Sequence, residues 1–273
     1  MDTDRERWLA EHPYLGRLAA FEEAVERAAA GAGATAAPPA PGAWDADRAK
    51  GIPLLRSAAA GVDVIGPAAA NLGVLAGVLS KGSVPESLGA ACRALGGRLA
   101  SDADRGAAIR WVLGDESVAA LPEAGLLRLL GWNAIARAAA PAVAAAAPAF
   151  ELDRWGHGYC PTCGAPPAVA QLAGPAEMRQ RTLACGVCRT RWPWRRLGCP
   201  FCGNDAPERI DLLVPEGEPA LRIDGCRECS GYLKTYVGEG HEALLLADWS
   251  TIHLDVLADE RGFRRKGASL YEL

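Results

Sequence analysis

Eight of the nine cysteines fall between residues 160 and 229, in four Cys-x-x-Cys pairs: "CPTC" at 160–163, "CGVC" at 185–188, "CPFC" at 199–202 and "CREC" at 226–229. No other feature of the 273-residue chain restricts its fold as strongly. A Cys-x-x-Cys on a tight turn brings two sulfurs within reach of one ion. Two such turns facing each other complete a tetrahedral S4 site, which suits Zn²⁺ or a single iron. In "CPTCG" and "CPFCG" a Pro presets the turn, and the Gly after the second Cys tolerates a positive φ. Such a turn leaves backbone N–H groups free to point at the thiolates.

The pairs recur in the order A-B-A-B. Cys160 to Cys199 is 39 residues and Cys185 to Cys226 is 41, so two tandem copies of one module are expected. The gaps inside the copies are 21 and 23 residues, room for a hairpin slightly longer than that of short zinc ribbons. Three short strands are expected in each: "AVAQLA", "RQRTLA" and "RTRWPW" in the first, "ERIDLLV", "ALRID" and "GYLKTYV" in the second. The repeat order favours one site from Cys160, Cys163, Cys185 and Cys188 and another from Cys199, Cys202, Cys226 and Cys229, with a cross-braced pairing left open.

Metal is favoured over disulfides on two grounds. The cysteine total is odd, and each module of about 40 residues is too small to bury a sufficient core alone. A structural zinc contributes on the order of 10–16 kcal/mol, against roughly 2–4 for a disulfide. Catalytic zinc keeps an open fourth position, whereas four thiolates close the shell, so metal-assisted hydrolysis is not expected and the chain reads as no enzyme. Iron in the same cage can cycle between Fe³⁺ and Fe²⁺.

The first 150 residues read as helices. Trp8, Leu9, Tyr14, Leu15, Leu18, Phe21 and Val25 recur at helical spacing, "GAGATAAPPAPGAW" (31–44) reads as a linker, and the helical pattern resumes from Pro53 to about Phe150. Ser83 or Ser87 and Asp115 are candidate N-caps. With half of all residues hydrophobic but only 6% aromatic, close-packed small side chains are expected here. The last helix is expected over 243–263, with Trp249, Ile252, Val256 and Leu257 on one stripe. The expected fold is thus α+β and multidomain: an all-α domain at 1–150, ribbons at 151–197 and 198–240, and a C-terminal helix and tail at 241–273.

The formal net charge is −4, and each half, divided after residue 150, carries −2, which disfavours a nucleic-acid binder. The stretch 179–196 nonetheless holds six arginines and no acid, with Trp192 and Trp194 between them. Arginines near thiolate-bound metal offset its negative charge, and that reading stands beside partner binding and nucleic-acid binding. The acidic N-terminus lacks the pattern of a secretory signal, and neither Val64–Leu79 nor Ala138–Phe150 reads as a membrane span, so no membrane association and a cytoplasmic location are expected. His157 is a spare ligand next to complete sites, and His253 and Cys92 read as packing residues.

"GYCPTCGAPP", "CGVCRTRWPWRRLGCPFCGN" and "CRECSGYLKTY", together with "DWSTIHLDVLADERGF" and "GIPLL", resemble the FdhE family, the accessory proteins of formate dehydrogenase maturation. The resemblance implies a cytoplasmic, non-enzymatic assembly factor that associates with the molybdenum- or tungsten-containing catalytic subunit of formate dehydrogenase. It also implies paired rubredoxin-like sites, with iron or zinc held by the eight cysteines. For partner contact, Trp192, Trp194, Tyr232 and Tyr236 are candidate anchors by residue type. The rival classes are a zinc-ribbon nucleic-acid binder and a rubredoxin-like electron carrier.

Overall fold

Behind each turn-forming cysteine pair the apolar runs become strands. The computed structural model describes residues 3–81, 86–151 and 155–269. Within them the first cysteine module forms β1 (Pro167–Ala173), β2 (Gln180–Cys185) and β3 (Arg191–Trp194). The second forms β4 (Ile210–Leu213), β5 (Leu221–Cys226) and β6 (Gly231–Val237). All six expected strands are present, with ends shifted by at most two residues.

The two modules are not separate beads. They share one sheet of order β3-β2-β1-β6-β5-β4, with a short β7 (Arg264–Arg265) beside β6. Pairing is antiparallel inside each module, while β1 and β6 are parallel, in the register Val169↔Lys234 to Leu172↔Val237. The second module therefore stands beside the first in the same orientation, like a repeated tile. Being central, β1 and β6 are buried along almost their whole length and show no in–out alternation. Pro193 lies on the outermost strand β3, where a residue without an N–H is tolerated. The modules also meet at their turns: a Cβ on Gly158 would fall 2.1 Å from the Pro200 carbonyl oxygen, so only glycine fits.

The chain divides into two compact units, each discontinuous in sequence. One comprises Met1–Leu15, Asp45–Pro53 and Ala147–Leu273, the other Gly16–Trp44 and Leu54–Ala146. The sheet unit thus includes α1 (Thr3–Glu11) and α3 (Asp45–Arg48) from the N-terminal half. Trp8 on α1 donates its indole N–H to the Ser250 carbonyl at 3.0 Å.

The expected single helix over 243–263 is broken. A short α8 (Glu242–Leu245), a 3-10 turn at Asp248–Thr251 and α9 (His253–Glu260) replace it. Next to the break lies a buried ionic network. Lys234 on β6 lies 2.6 Å from Asp248 and 2.9 Å from Asp255, and Arg265 lies 2.8 and 2.5 Å from the same two carboxylates. The Lys234 ammonium also donates to the Asp248 and Thr251 carbonyls at 3.0 and 3.3 Å, while the helical path itself is interrupted at Ala247, whose ψ is 110°. Two cations against two anions make the cluster neutral. The expected stripe shifts accordingly: α9 buries Leu254, Asp255 and Ala258, while Val256 is exposed.

The second unit holds α2 (Gly16–Ala30), α4 (Ile65–Lys81), α5 (Glu86–Arg98), α6 (Asp102–Val112) and α7 (Ala124–Ala146). Helix α4 is its hub, packing on α2, α5, α6 and α7 through Ala68, Leu72, Leu75, Ala76 and Leu79 at helical spacing. The segment after α2 is pinned despite lacking regular structure. Asn71 accepts from the Ala34 N–H and donates to the Ala34 carbonyl, and Ala36 N–H donates to the Ala138 carbonyl. Small residues permit close approach, since a Cβ on Gly131 of α7 would lie 2.8 Å from Val112 of α6.

Two local expectations are corrected. Asp115 caps no helix: its carboxylate accepts from the Ser117 N–H and hydroxyl in a turn, whereas Ser101 caps α6 through Asp104 N–H at 3.1 Å. Ser83 lies outside the described residues, and Ser87 falls within α5 as an element. The apolar helix is also longer than the Ala138–Phe150 run read from the sequence. Ala124–Phe150, 27 residues, is long and apolar enough to cross a bilayer by length and composition, although 56% of its most apolar window is buried inside the protein. Arg137 within it donates to the Ala32 carbonyl at 2.7 Å.

Candidate metal centres

The four cysteine turns converge in sequential pairs. Cys160, Cys163, Cys185 and Cys188 form one group and Cys199, Cys202, Cys226 and Cys229 the other, with the ligand atoms of each within 4.8 Å of one another. The cross-braced alternative does not occur. Sulfur–sulfur distances are 3.5 Å for Cys160–Cys188 and Cys163–Cys185, and 3.7 Å for Cys199–Cys229 and Cys202–Cys226. A disulfide needs about 2.0 Å. A tetrahedron with Zn–S bonds of about 2.3 Å has edges of about 3.8 Å. The spacing therefore fits four thiolates around one ion.

Local backbone explains the geometry. In the Pro-containing turns Gly164 and Gly203 have φ of 82° and 78°, and their N–H groups donate to the Cys160 and Cys199 carbonyls at 2.9 Å. The other two turns lack that glycine but take the same bend: Arg189 and Ser230, each just after the second cysteine, have φ of 62° and 55°. A side chain in that region costs about 1–2 kcal/mol. Arg189→Gly and Ser230→Gly should therefore be neutral or stabilise the metal-loaded protein by up to about 1 kcal/mol, read as an unchanged or raised thermal midpoint. Gly164→Val should destabilise the metal-loaded protein by about 1–3 kcal/mol, read as a lowered midpoint.

Backbone N–H groups point at sulfur as such turns allow. Val187 N–H donates to the Cys185 sulfur at 3.4 Å, and the amides of Glu228 and Cys229 donate to the Cys226 sulfur. Burial pushes the Cys185 and Cys199 thiols up, since neither anion is solvated where it sits. A cation at the centre of each group supplies the charge that thiolates there require.

The two centres differ in access. All four cysteines of the first are buried, whereas Cys202 is exposed and Cys229 half-buried. Around the first, Thr190 Oγ1 lies 3.1 Å from the Cys188 sulfur and donates to Thr162 at 2.8 Å. The residue in the place of Thr190 in the second module is Gly231, which covers nothing.

The remaining sequence candidates fare differently. His157 stacks on Tyr159 with ring centroids 4.9 Å apart and joins no metal-binding group among the described residues. Cys92 is buried. The four aromatic anchors are corrected outright: Trp192, Trp194, Tyr232 and Tyr236 are all at most 7% exposed. A small sheet unit spends its large aromatics on its core. Tyr232 donates to Asp255 at 2.7 Å, Tyr236 to the Glu239 carbonyl at 2.8 Å and Trp192 to the His157 carbonyl at 3.2 Å.

The arginine run is largely used internally. Arg181 is buried and paired with Asp224 at 2.9 Å, Arg191 donates to Gln171, Arg195 lies over the Trp194 ring at 4.9 Å, and Arg196 donates to the Glu177 carbonyl at 3.3 Å. Sequence reasoning missed one grouping altogether. His12, Glu218 and His253 come together, although no spacing among residues so far apart in the chain marks it.

No protein-family model matches the chain. Curated relatives named "Protein FdhE homolog" do match. That of Aquifex aeolicus is 32% identical over 117 residues, 42% of this chain and 41% of that protein. That of Stutzerimonas stutzeri is 33% identical over 122 residues, 43% and 39% of the two chains. The match thus spans about two fifths of the length of these relatives. In fold, the crystal structure of the FdhE protein from Pseudomonas aeruginosa aligns with a TM-score of 0.58 at 21% identity, covering 91% of this chain and 85% of that one. In sequence the chain is thus similar to FdhE homologues over about two fifths of its length, and in fold to an FdhE crystal structure.

Proposed function

We propose that this protein is a cytoplasmic assembly factor for formate dehydrogenase, binding the catalytic subunit of that enzyme during its maturation and catalysing no step of formate oxidation. The observation that carries the reading is the pair of closed four-cysteine groups in a chain similar to FdhE homologues. All eight cysteines, Cys160, Cys163, Cys185, Cys188, Cys199, Cys202, Cys226 and Cys229, would hold two ions of iron or zinc in a rubredoxin-like manner. Four thiolates to an ion leave no coordination position for a substrate, so the metals act by fixing the turns and the sheet they terminate.

With the four aromatics buried, client contact falls to the apolar side chains that reach solvent on the second module, Leu212 and Val214. Both belong to or adjoin the open edge strand β4. The engagement of Arg181, Arg191, Arg195 and Arg196 within the protein weighs against the nucleic-acid reading.

The test has two parts. Tagged protein should capture the catalytic subunit from cells making formate dehydrogenase, and Leu212→Lys with Val214→Lys should weaken that capture. Deleting the gene should abolish formate dehydrogenase activity, restored by the wild-type gene. Full activity in the deletion strain removes the maturation role.

A further inference from the structure

We propose that His12, Glu218 and His253 form a third metal site, open to solvent, which takes a divalent cation of borderline softness through two imidazole Nε2 atoms and a carboxylate. The three residues come from the end of the N-terminal helix, the β4–β5 turn and the start of α9. Their nearest atoms are 2.7 Å apart for His12 Nε2 and Glu218 Oε1, and 2.8 Å for His253 Nε2 and Glu218 Oε2. The two imidazoles lie 5.3 Å apart, centroid to centroid, on either oxygen of one carboxylate.

Hydrogen-bond bookkeeping on His12 points to a cation. Its Nδ1 lies 3.0 Å from the Trp8 carbonyl oxygen, which can only accept, so Nδ1 carries the proton. In the neutral ring Nε2 is then a lone pair, and it faces a carboxylate oxygen that is also an acceptor. A cation between them satisfies both. A ring N–H tied to a backbone carbonyl is also the usual support of a metal-binding histidine, because it fixes the tautomer and the ring plane.

Stacking of the Trp8 indole on the His12 ring, centroids 4.0 Å apart, holds that plane from the other side. Trp8 is itself tied to Ser250 through its indole N–H. On Glu218 the turn is set by Leu221 N–H donating to the Glu218 carbonyl at 2.9 Å, so the carboxylate is presented by ordered backbone.

The chemistry of the ligands differs from that of the cysteine groups. Two imidazoles and one carboxylate suit Zn²⁺, Fe²⁺, Co²⁺ or Ni²⁺, and three protein ligands leave positions for water or a small anion. The side chains are 11%, 19% and 24% exposed, so an ion can be reached from solvent. The site stands whether or not the maturation reading holds, because it rests on none of the eight cysteines.

The competing state is a proton in place of the metal, an imidazolium of His12 bridged to Glu218. Co²⁺ titrated into protein already holding two Zn²⁺ distinguishes them. One further equivalent should bind, with weak d–d absorption and no thiolate charge-transfer band, and it should quench Trp8 fluorescence, the quenching being lost in Trp8→Phe. Glu218→Gln and His253→Gln should each weaken this third equivalent at least tenfold while both Zn²⁺ ions stay bound. If either variant loses zinc, the wild-type spectrum and the Trp8 quenching decide alone. Wild-type protein that takes up no third equivalent, or takes it up with a thiolate band, overturns the proposal. So does third-equivalent affinity that is equal in wild type and in both zinc-retaining variants.

Discussion

Cys185→Ser should cost the protein the metal ion of the first group and weaken the whole sheet, not the first module alone. Cys185 ends β2 and sits in the fully buried group, so a serine there cannot be rescued by solvent. A structural zinc is coupled to folding by about 10–16 kcal/mol, which equals or exceeds the roughly 5–15 kcal/mol that stabilises a typical domain. Because β1 pairs with β6, the loss passes to the second module through the ladder. Metal analysis should show the first ion lost and the second bound more weakly than in the wild type, and hydrogen exchange should show β4–β6 amides with lowered protection alongside β1–β3. The helices of Gly16–Trp44 and Leu54–Ala146 form their own unit and should keep their helical signal. Full protection of β4–β6 in the variant would mean that the modules fold independently. Access sets the order of attack in the wild type: with chelator present, a thiol reagent should label Cys202, the exposed ligand, before any cysteine of the first group.

Asp255→Ala should destabilise the sheet unit by about 3–5 kcal/mol, because it leaves Lys234 and Arg265 buried with one carboxylate between them. Tyr232 would lose its acceptor as well. Chemical denaturation of the metal-loaded protein measures the change. Glu23→Ala is the control: its exposed partner Arg27 is 2.5 Å away, and the loss should stay below about 1 kcal/mol. The same network predicts acid sensitivity. Burial alone would raise the Asp248 carboxyl, but Lys234 and Arg265 hold it well below the usual carboxylate range. A depressed native pKa means that its stabilisation is fully present above the unfolded value near ~4 and is lost progressively as the pH falls below it. Thiolate protonation also releases metal in acid, so the acid midpoint is compared between wild type and Asp255→Ala, which share the same cysteine groups. A variant as stable as the wild type would show that the network contributes nothing net.

The strands and the metal groups were legible because their causes are local. Turn residues, cysteine spacing and short apolar runs each act over a few positions, and β1–β6 lie where those signals put them. Sequential pairing of the cysteines followed from the repeat order. The parallel β1–β6 ladder has no local signature, since its partners are about 65 residues apart, and only packing selects it. The broken C-terminal helix is a related case: periodicity marks α9, but the turn to extended backbone at Ala247 has no local signature, and the contacts of Lys234 with Asp248 and Asp255 join segments that no sequence pattern links.

The aromatic anchors failed because residue type says nothing about which face a side chain takes. Burial alternates along β3, where Trp192 and Trp194 take the covered face, and Tyr232 stands on the central strand β6, buried along almost its whole length. Gly225 carries a local signal of its own. A glycine inside a strand marks close approach, and the Phe263 ring occupies the space where its Cβ would stand, 2.4 Å away. His12, Glu218 and His253 required the fold, because three segments meet there that share no repeat.

The tiled arrangement of the modules has a consequence for self-assembly. A contact made by translation does not close on itself: whatever lets β6 dock against β1 is offered again, in principle, by the free margins of β3 and β4. Copy after copy could then be added into a filament. Pro193, which contributes no donor, lies on one of those margins, so the fold carries its own stop against polymerising by the very join that built it.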